Sequence, residues 1–180
     1  MGNAAIQLAV WAGARVVTTV SSPEKAALAR AAGAHHTVDY RTEDVRAAVR
    51  ALAPDGVDLV TEVSPAQNLA VDVDVLRNGG TLAFYANDGG DEATLPVRAT
   101  FGKNLRLQGL ILYTLAPDLL AAAVHDVGVA VAAGALRVGE EVGLPLHHLP
   151  LERLADAHEA WRAAPWARCC STSPRCDLPV

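Results

Sequence analysis

The feature that most constrains this chain is the regular exchange of short β-branched runs for alanine-rich stretches. Arg15–Val20 is nearly all β-branched and reads as a buried strand. Ser22-Pro23-Glu24-Lys25 then opens a helix to about Ala32, ended by Gly33. Serine can cap such a helix with its hydroxyl, and proline fits the first turn because its missing N–H has no partner to lose there. The unit recurs as strand His36–Asp39, helix Thr42–Leu52 begun by Thr42 or Asp44, strand Val57–Val63 and helix Pro65–Leu76. A turn at Asn78-Gly79-Gly80 leads into strand Thr81–Tyr85, with strand Leu105–Leu112 and helix Pro117–Ala133 beyond. The chain opens on a helix, Asn3–Ala12, stopped by Gly13. Leu144–Leu151 reads as a crossover and Leu151–Ala164 as an amphipathic last helix. Alternation of this kind implies right-handed βαβ crossovers, hence an α/β fold on a doubly wound, mostly parallel sheet. Sheets of this type bind ligands at the carboxyl ends of their strands.

With 180 residues the chain is long enough for one domain with a full core. Hydrophobic residues make up 51% but aromatics only 4%, which favours small-residue helices packed on a valine-rich sheet over an aromatic sandwich. A net charge of −5 argues against a nucleic-acid partner, which a basic face would serve. The longest apolar run, Leu119–Leu136, is broken by His125, Asp126 and glycines, so no membrane span is expected. No secretory signal is legible, and a cytoplasmic location is the expectation.

Cys169, Cys170 and Cys176 all lie near the end and form neither a CxxC pair nor a disulfide framework. His35-His36 and His147-His148 are each adjacent in sequence, and on a strand adjacent side chains point to opposite faces. With no cysteine near them in the sequence, no metal site is expected. Asp58, Asp72 and Asp74 read as solvated helix and strand faces. No residue is assigned as a catalytic acid, base or nucleophile.

A dinucleotide fold ordinarily begins with a strand, then G-x-G-x-x-G, then a helix whose N-terminus receives the pyrophosphate. This chain begins at Met1-Gly2-Asn3-Ala4-Ala5, directly in a helix. The series Gly2-Asn3-Ala4-Ala5-Ile6-Gln7-Leu8-Ala9, Ala12-Gly13-Ala14-Arg15-Val16, Ser21-Ser22-Pro23-Glu24-Lys25 and Ala32-Gly33-Ala34 is ordered and specific. Val38-Asp39-Tyr40-Arg41, Gly56-Val57-Asp58-Leu59-Val60 and Leu76-Arg77-Asn78-Gly79-Gly80-Thr81-Leu82 continue it. From Gly2 to Ala160 the chain resembles the cofactor domain of the medium-chain dehydrogenase/reductase superfamily, in its zinc-independent quinone oxidoreductase branch.

The resemblance implies a Rossmann-like sheet lacking its first strand, with that strand and an N-terminal catalytic domain expected upstream of Met1. Gly2 is then the last glycine of the fingerprint. The expected division is a partial dinucleotide-binding domain over 1–145, a crossover and C-terminal helix over 146–164, and an irregular tail over 165–180. NAD-preferring folds place Asp or Glu at the end of the second strand. Here that tip is Ser21-Ser22, without a carboxylate. Read alone, Lys25 is a solvated helix charge and Tyr40 a rim aromatic; in the family, residues matching them bind a 2′-phosphate. NADPH is therefore the expected cofactor. Thr61, Glu62, Tyr85 and Asn87, at the tips of later strands, are expected to line it, Glu62 being equally readable as an exposed strand-end carboxylate. Leu105–Leu112 is the expected edge strand of a homodimer.

The implied activity is NADPH-dependent hydride transfer to a small molecule, a quinone or related enone. Two alternatives stand beside it: an enoyl reductase cofactor domain, and a truncated nucleotide-binding fragment without catalysis of its own. After Ala160 the resemblance stops. Family members end near here with a strand of the type Gly-Lys-Val-hydrophobic-Leu. Trp166 followed by Ala167–Ser173 can be encoded TGG GCA AGG TGC TGC TCG ACG TC. Read from the last G of TGG, that gives Gly-Lys-Val-Leu-Leu-Asp-Val, so a frameshift near Trp161 is the expectation for the tail.

Overall fold

A computed structural model describes residues 2–163 and 168–172. Helices and strands alternate as α1 (Gly2–Trp11), β1 (Val17–Val20), α2 (Pro23–Ala31), β2 (His36–Asp39), α3 (Val45–Leu52), β3 (Val57–Glu62), α4 (Pro65–Val75) and β4 (Leu76–Phe84). They continue as α5 (Val97–Gly102), β5 (Arg106–Gly109), α6 (Pro117–Ala132), β6 (Leu146–Pro150), α7 (Leu154–Ala163) and β7 (Arg168–Thr172). The strands form three sheets: β1 with β2, β3-β4-β5 in that order, and β6 with β7. The last two sheets are parallel, as the alternation requires.

Two compact units result, residues 1–37 with 127–180, and residues 38–126. In the first, Ile6 of α1 and Ala26 and Ala29 of α2 bury against Val20 of β1, with Ala32 and Ala34 completing the cluster. Alanine at these positions lets helix backbones approach the strand closely. Gln7 is buried in the same unit and makes a two-way amide bond: its Nε2 donates to the Arg137 carbonyl at 2.9 Å and its Oε1 accepts from the Arg137 amide at 2.9 Å. A polar residue is tolerated there because both ends of its amide are satisfied.

In the second unit, Leu69 and Val73 of α4 bury against Leu76 and Leu82 of β4, with Val57, Val60, Phe84 and Leu105 around them. The pairing of β3 with β4 is irregular. Val57 lies opposite Leu76, but Leu59 lies opposite Thr81, so the Arg77–Gly80 segment bulges out of the ladder. Asn78-Gly79-Gly80 is thus a bulge inside β4 and not a turn before it. A bulge needs an unusual backbone, and Gly79 at φ +71° supplies it. β5 is shorter than the sequence predicts, because the ladder ends at Gly109 and Leu112–Thr114 turns into a 3-10 helix.

Other expectations also needed correction. Leu146–Pro150, read as part of a crossover, is a strand. Within the tail read as irregular, Arg168–Thr172 pairs with it in parallel, and residues 164–167 and 173–180 lie outside the described residues. That register sets His147 opposite Cys169 and His148 opposite Cys170 along the backbone. The two segments are remote in sequence, so only the fold could bring these residue types into neighbouring rows.

Candidate functional site

β1 delivers Ser21 and Ser22 to the start of α2. Ser22 has extended backbone, and its Oγ accepts the Lys25 amide at 3.3 Å, which closes the first turn of the helix. The same hydroxyl, with Glu24's own amide, holds the exposed Glu24 carboxyl below the usual range. Ser21 is buried, and the Lys25 Nζ donates to its Oγ at 2.8 Å. The ammonium of Lys25 is therefore folded back onto the neutral tip of β1. Ser22, Glu24, Lys25 and Leu28 line a concavity of about 320 Å³. Its carboxylate already has hydrogen-bond donors, while the lysine ammonium donates to a neutral oxygen.

Gly2 begins α1, is exposed, and a Cβ built on it would meet nothing within 4 Å. No neighbour among the described residues requires glycine there. A demand for it would have to come from something approaching the helix end.

In the second unit, the carboxyl ends of β3 and β4 bring Thr61, Glu62, Tyr85 and Asn87 together. Glu62 lies opposite Phe84, and the Tyr85 amide donates to the Glu62 carbonyl at 3.3 Å. The Asp88 amide donates to the Val63 carbonyl at 2.9 Å, and Ser64 Oγ donates to the Asp88 carbonyl. Asn87 donates its amide to Asp91 in the loop beyond. Thr61 is exposed and Tyr85 half-buried. Tyr40 is 54% exposed just after β2.

Glu62 is turned inward instead of standing exposed at the strand end. Its Oε1 accepts the amides of Val63 at 2.8 Å and Ser64 at 2.6 Å, and its Oε2 accepts Asn68 Nδ2 at 3.2 Å. Ser64 makes no side-chain cap to α4, and the Glu62 carboxylate ties the two amides just before the helix to the Asn68 side chain in its first turn. This partnership is not legible in the sequence beyond the Glu62/Asn68 spacing across the turn. Asp72 is a second correction: it is buried, not solvated, and faces Glu62. Asp58 and Asp74 are surface groups as read, bonded to Arg77 and to Arg46 and Arg50. His35 accepts the Val16 amide and His36 is 2.8 Å from Arg15, so both serve the β1 end of their unit.

Residues 1–128 match the zinc-binding dehydrogenase family. The chain belongs to that family. The resemblance to the medium-chain dehydrogenase/reductase superfamily is borne out with it. A 2-haloacrylate reductase from a Burkholderia species is 35% identical over 115 residues, covering 63% of this chain and 33% of its own. Quinone oxidoreductase from Sus scrofa is 27% identical over 166 residues, covering 88% of this chain and 46% of its own. A mycobacterial protein solved with NADPH superposes with a TM-score of 0.69 at 26% identity, covering 88% of this chain and 49% of that one. The chain thus spans between a third and a half of the length of these relatives.

The family name prompts the question of zinc. Among the described residues no three His, Cys, Asp or Glu side chains come together as a metal ion would need, and residues 1–128 contain no cysteine. The donor set of the described residues does not fit zinc. No helix among the described residues is long and apolar enough to cross a membrane.

Proposed function

We propose that this chain is the cofactor-binding part of an NADPH-dependent oxidoreductase that passes hydride to a quinone or related enone in the cytoplasm. The observation that carries this is the Lys25 ammonium seated on Ser21 Oγ at the carboxylate-free tip of β1. An Asp or Glu at that tip would repel a 2′-phosphate; a serine backed by an ammonium attracts one. Ser22, and Tyr40 after β2, are the further contacts proposed for the phosphate. A Cβ on Gly2 would meet nothing within 4 Å, and the α1 N-terminus is proposed to receive the pyrophosphate. Thr61, Tyr85 and Asn87 are proposed to face the nicotinamide end, with Glu62 holding the turn that carries them.

NADPH would supply the hydride itself. The residues of this chain bind it, orient it and fix its charge, which is the protein's usual share of such chemistry. The 2-haloacrylate relative favours a second reading in which the acceptor is an activated C=C bond of an unsaturated acid, as in enoyl reduction. Assays of the chain with a quinone and with an acrylate separate the two, and failure of both with NADPH bound would leave a nucleotide-binding fragment.

Lys25→Ala is expected to weaken NADPH binding about 10-fold, roughly one charge-assisted hydrogen bond, while NADH binding barely changes. Fluorescence titration of wild type and variant with both nucleotides measures this. A wild type that prefers NADH would overturn the assignment of Ser21, Lys25 and Tyr40.

A homodimer is proposed through β5. Its residues are exposed, β4 is its one strand partner among the described residues, and Leu110, Ile111, Leu112 and Tyr113 beyond it are exposed too. Such an edge is ordinarily covered. Sedimentation should show a dimer that Ile111→Lys converts to monomer; a monomeric wild type rejects the proposal.

A further inference from the structure

The most unusual polar group outside the proposed cofactor contacts is Asp72 on α4. It is 6% exposed, and its Oδ2 has no hydrogen-bond partner among the described residues. Its neighbour is Glu62 at the end of β3, itself 9% exposed. The Val63 and Ser64 amides and the Asn68 side chain all donate to Glu62. Of the cations on the elements packed against α4, Arg98 of α5 is exposed and makes no ion pair with either carboxyl among the described residues, and the others are bonded elsewhere. From α3, Arg46 and Arg50 pair with Asp74; from beyond α5, Lys103 donates to the carbonyls of Val73, Asp74 and Leu76; on β4, Arg77 pairs with Asp58 of β3.

Two carboxyls that share a buried site resist ionising together. A hydrogen bond between them also requires a proton, since two carboxylates only accept. We propose that Asp72 holds that proton and donates it to Glu62, making the β3–α4 turn a proton-controlled latch. While the proton is present, Glu62 stays seated on the Val63 and Ser64 amides. When it leaves, two negative charges face each other in the same buried space and the turn loosens. The latch lies wholly within this unit and needs no bound cofactor.

Burial first, and the Glu62 charge second, raise the Asp72 carboxyl from its ordinary 3.8 to about 7. An acid whose folded value lies above its unfolded value favours the fold when protonated. This contribution is fully present below 3.8, is lost progressively as pH rises toward about 7, and is gone above that.

Urea unfolding of the chain across this range, together with infrared spectroscopy, tests the latch. Wild type should become less stable from about pH 4 to pH 7, and Asp72→Asn, whose amide donates without a proton to lose, should flatten that slope. The wild-type infrared spectrum should show a protonated carboxylic acid band that fades near neutral pH and is missing from Asp72→Asn. The Val63 and Ser64 amide resonances should shift with the same midpoint. If Asp72→Asn does not fold, Glu62→Gln serves: removing the facing charge should lower the midpoint of the band by about one pH unit, a 10-fold change in acidity. An Asp72→Asn slope equal to wild type, a spectrum without the acid band, or a midpoint unmoved in Glu62→Gln would each overturn the proposal.

Discussion

Replacing Gly56 with alanine is expected to destabilise the chain by about 3 kcal/mol or more, from a left-handed backbone penalty of ~1–2 kcal/mol and a steric clash of at least similar size. Gly56 stands at φ +95°, just before β3, where the bulge in β4 presses against it. A Cβ there would lie 2.5 Å from the Arg77 amide nitrogen and 2.7 Å from the Leu76 carbonyl carbon. Both are backbone atoms, so no rotamer change relieves the contact; β4 must move, and it carries buried Leu76 and Leu82. Gly79 provides the control. Its φ is +71°, but the nearest atom to its Cβ is the far end of Arg77 at 3.8 Å. Gly79→Ala should therefore cost only about 1 kcal/mol, the conformational part alone. Urea unfolding of both variants reads the difference. Equal losses would mean that β4 yields freely at the bulge and that the close approach carries no energetic weight.

That bulge also marks a boundary of what the sequence makes legible. Local chemistry was readable: Ser22 caps α2 and Pro23 starts it as predicted, and the strands over His36–Asp39 and from Val57 fall where β-branched residues cluster. The alternation implied a parallel α/β fold, and the chain has one. Asn78-Gly79-Gly80, by contrast, has identical turn chemistry whether it precedes a strand or bulges within it; only the partner strand decides. α5 is one short segment with little periodicity to announce it.

The candidate site divides the same way. Lys25 lies four residues beyond Ser21, so their contact is local and the lysine's position could be anticipated. The pairing of Asp72 with Glu62 spans a loop and most of α4, and Asp72 shares its stretch with Asp74, which is solvent-facing and paired with arginines. Two aspartates two residues apart look alike in sequence. One faces the core and the other water because the helix turns about 100° per residue.

Lys103→Met should cost about 2–3 kcal/mol, less than the simple sum of three charge-assisted hydrogen bonds. The Lys103 ammonium donates to the carbonyls of Val73 at 2.9 Å, Asp74 at 2.7 Å and Leu76 at 2.9 Å. These groups lie where α4 runs directly into β4, so the lysine caps a helix end that has no glycine to close it. A cation is also the favoured charge at that end of a helix dipole. Opposing this, burial lowers the Lys103 pKa from the ordinary lysine value; Arg50 lowers it further and Asp74 pulls the other way. The direction of the shift means that the charged form is less favoured here than in the unfolded chain. Desolvation therefore takes back part of what the three bonds contribute. Methionine keeps the apolar stem and the approximate volume, so the variant isolates the ammonium. It leaves three carbonyls without their donor, and the unpaired-acceptor cost should win. A urea midpoint unchanged from wild type would show that desolvation cancels the bonds in full. The junction would then be held by Leu76 and Val73 packing alone.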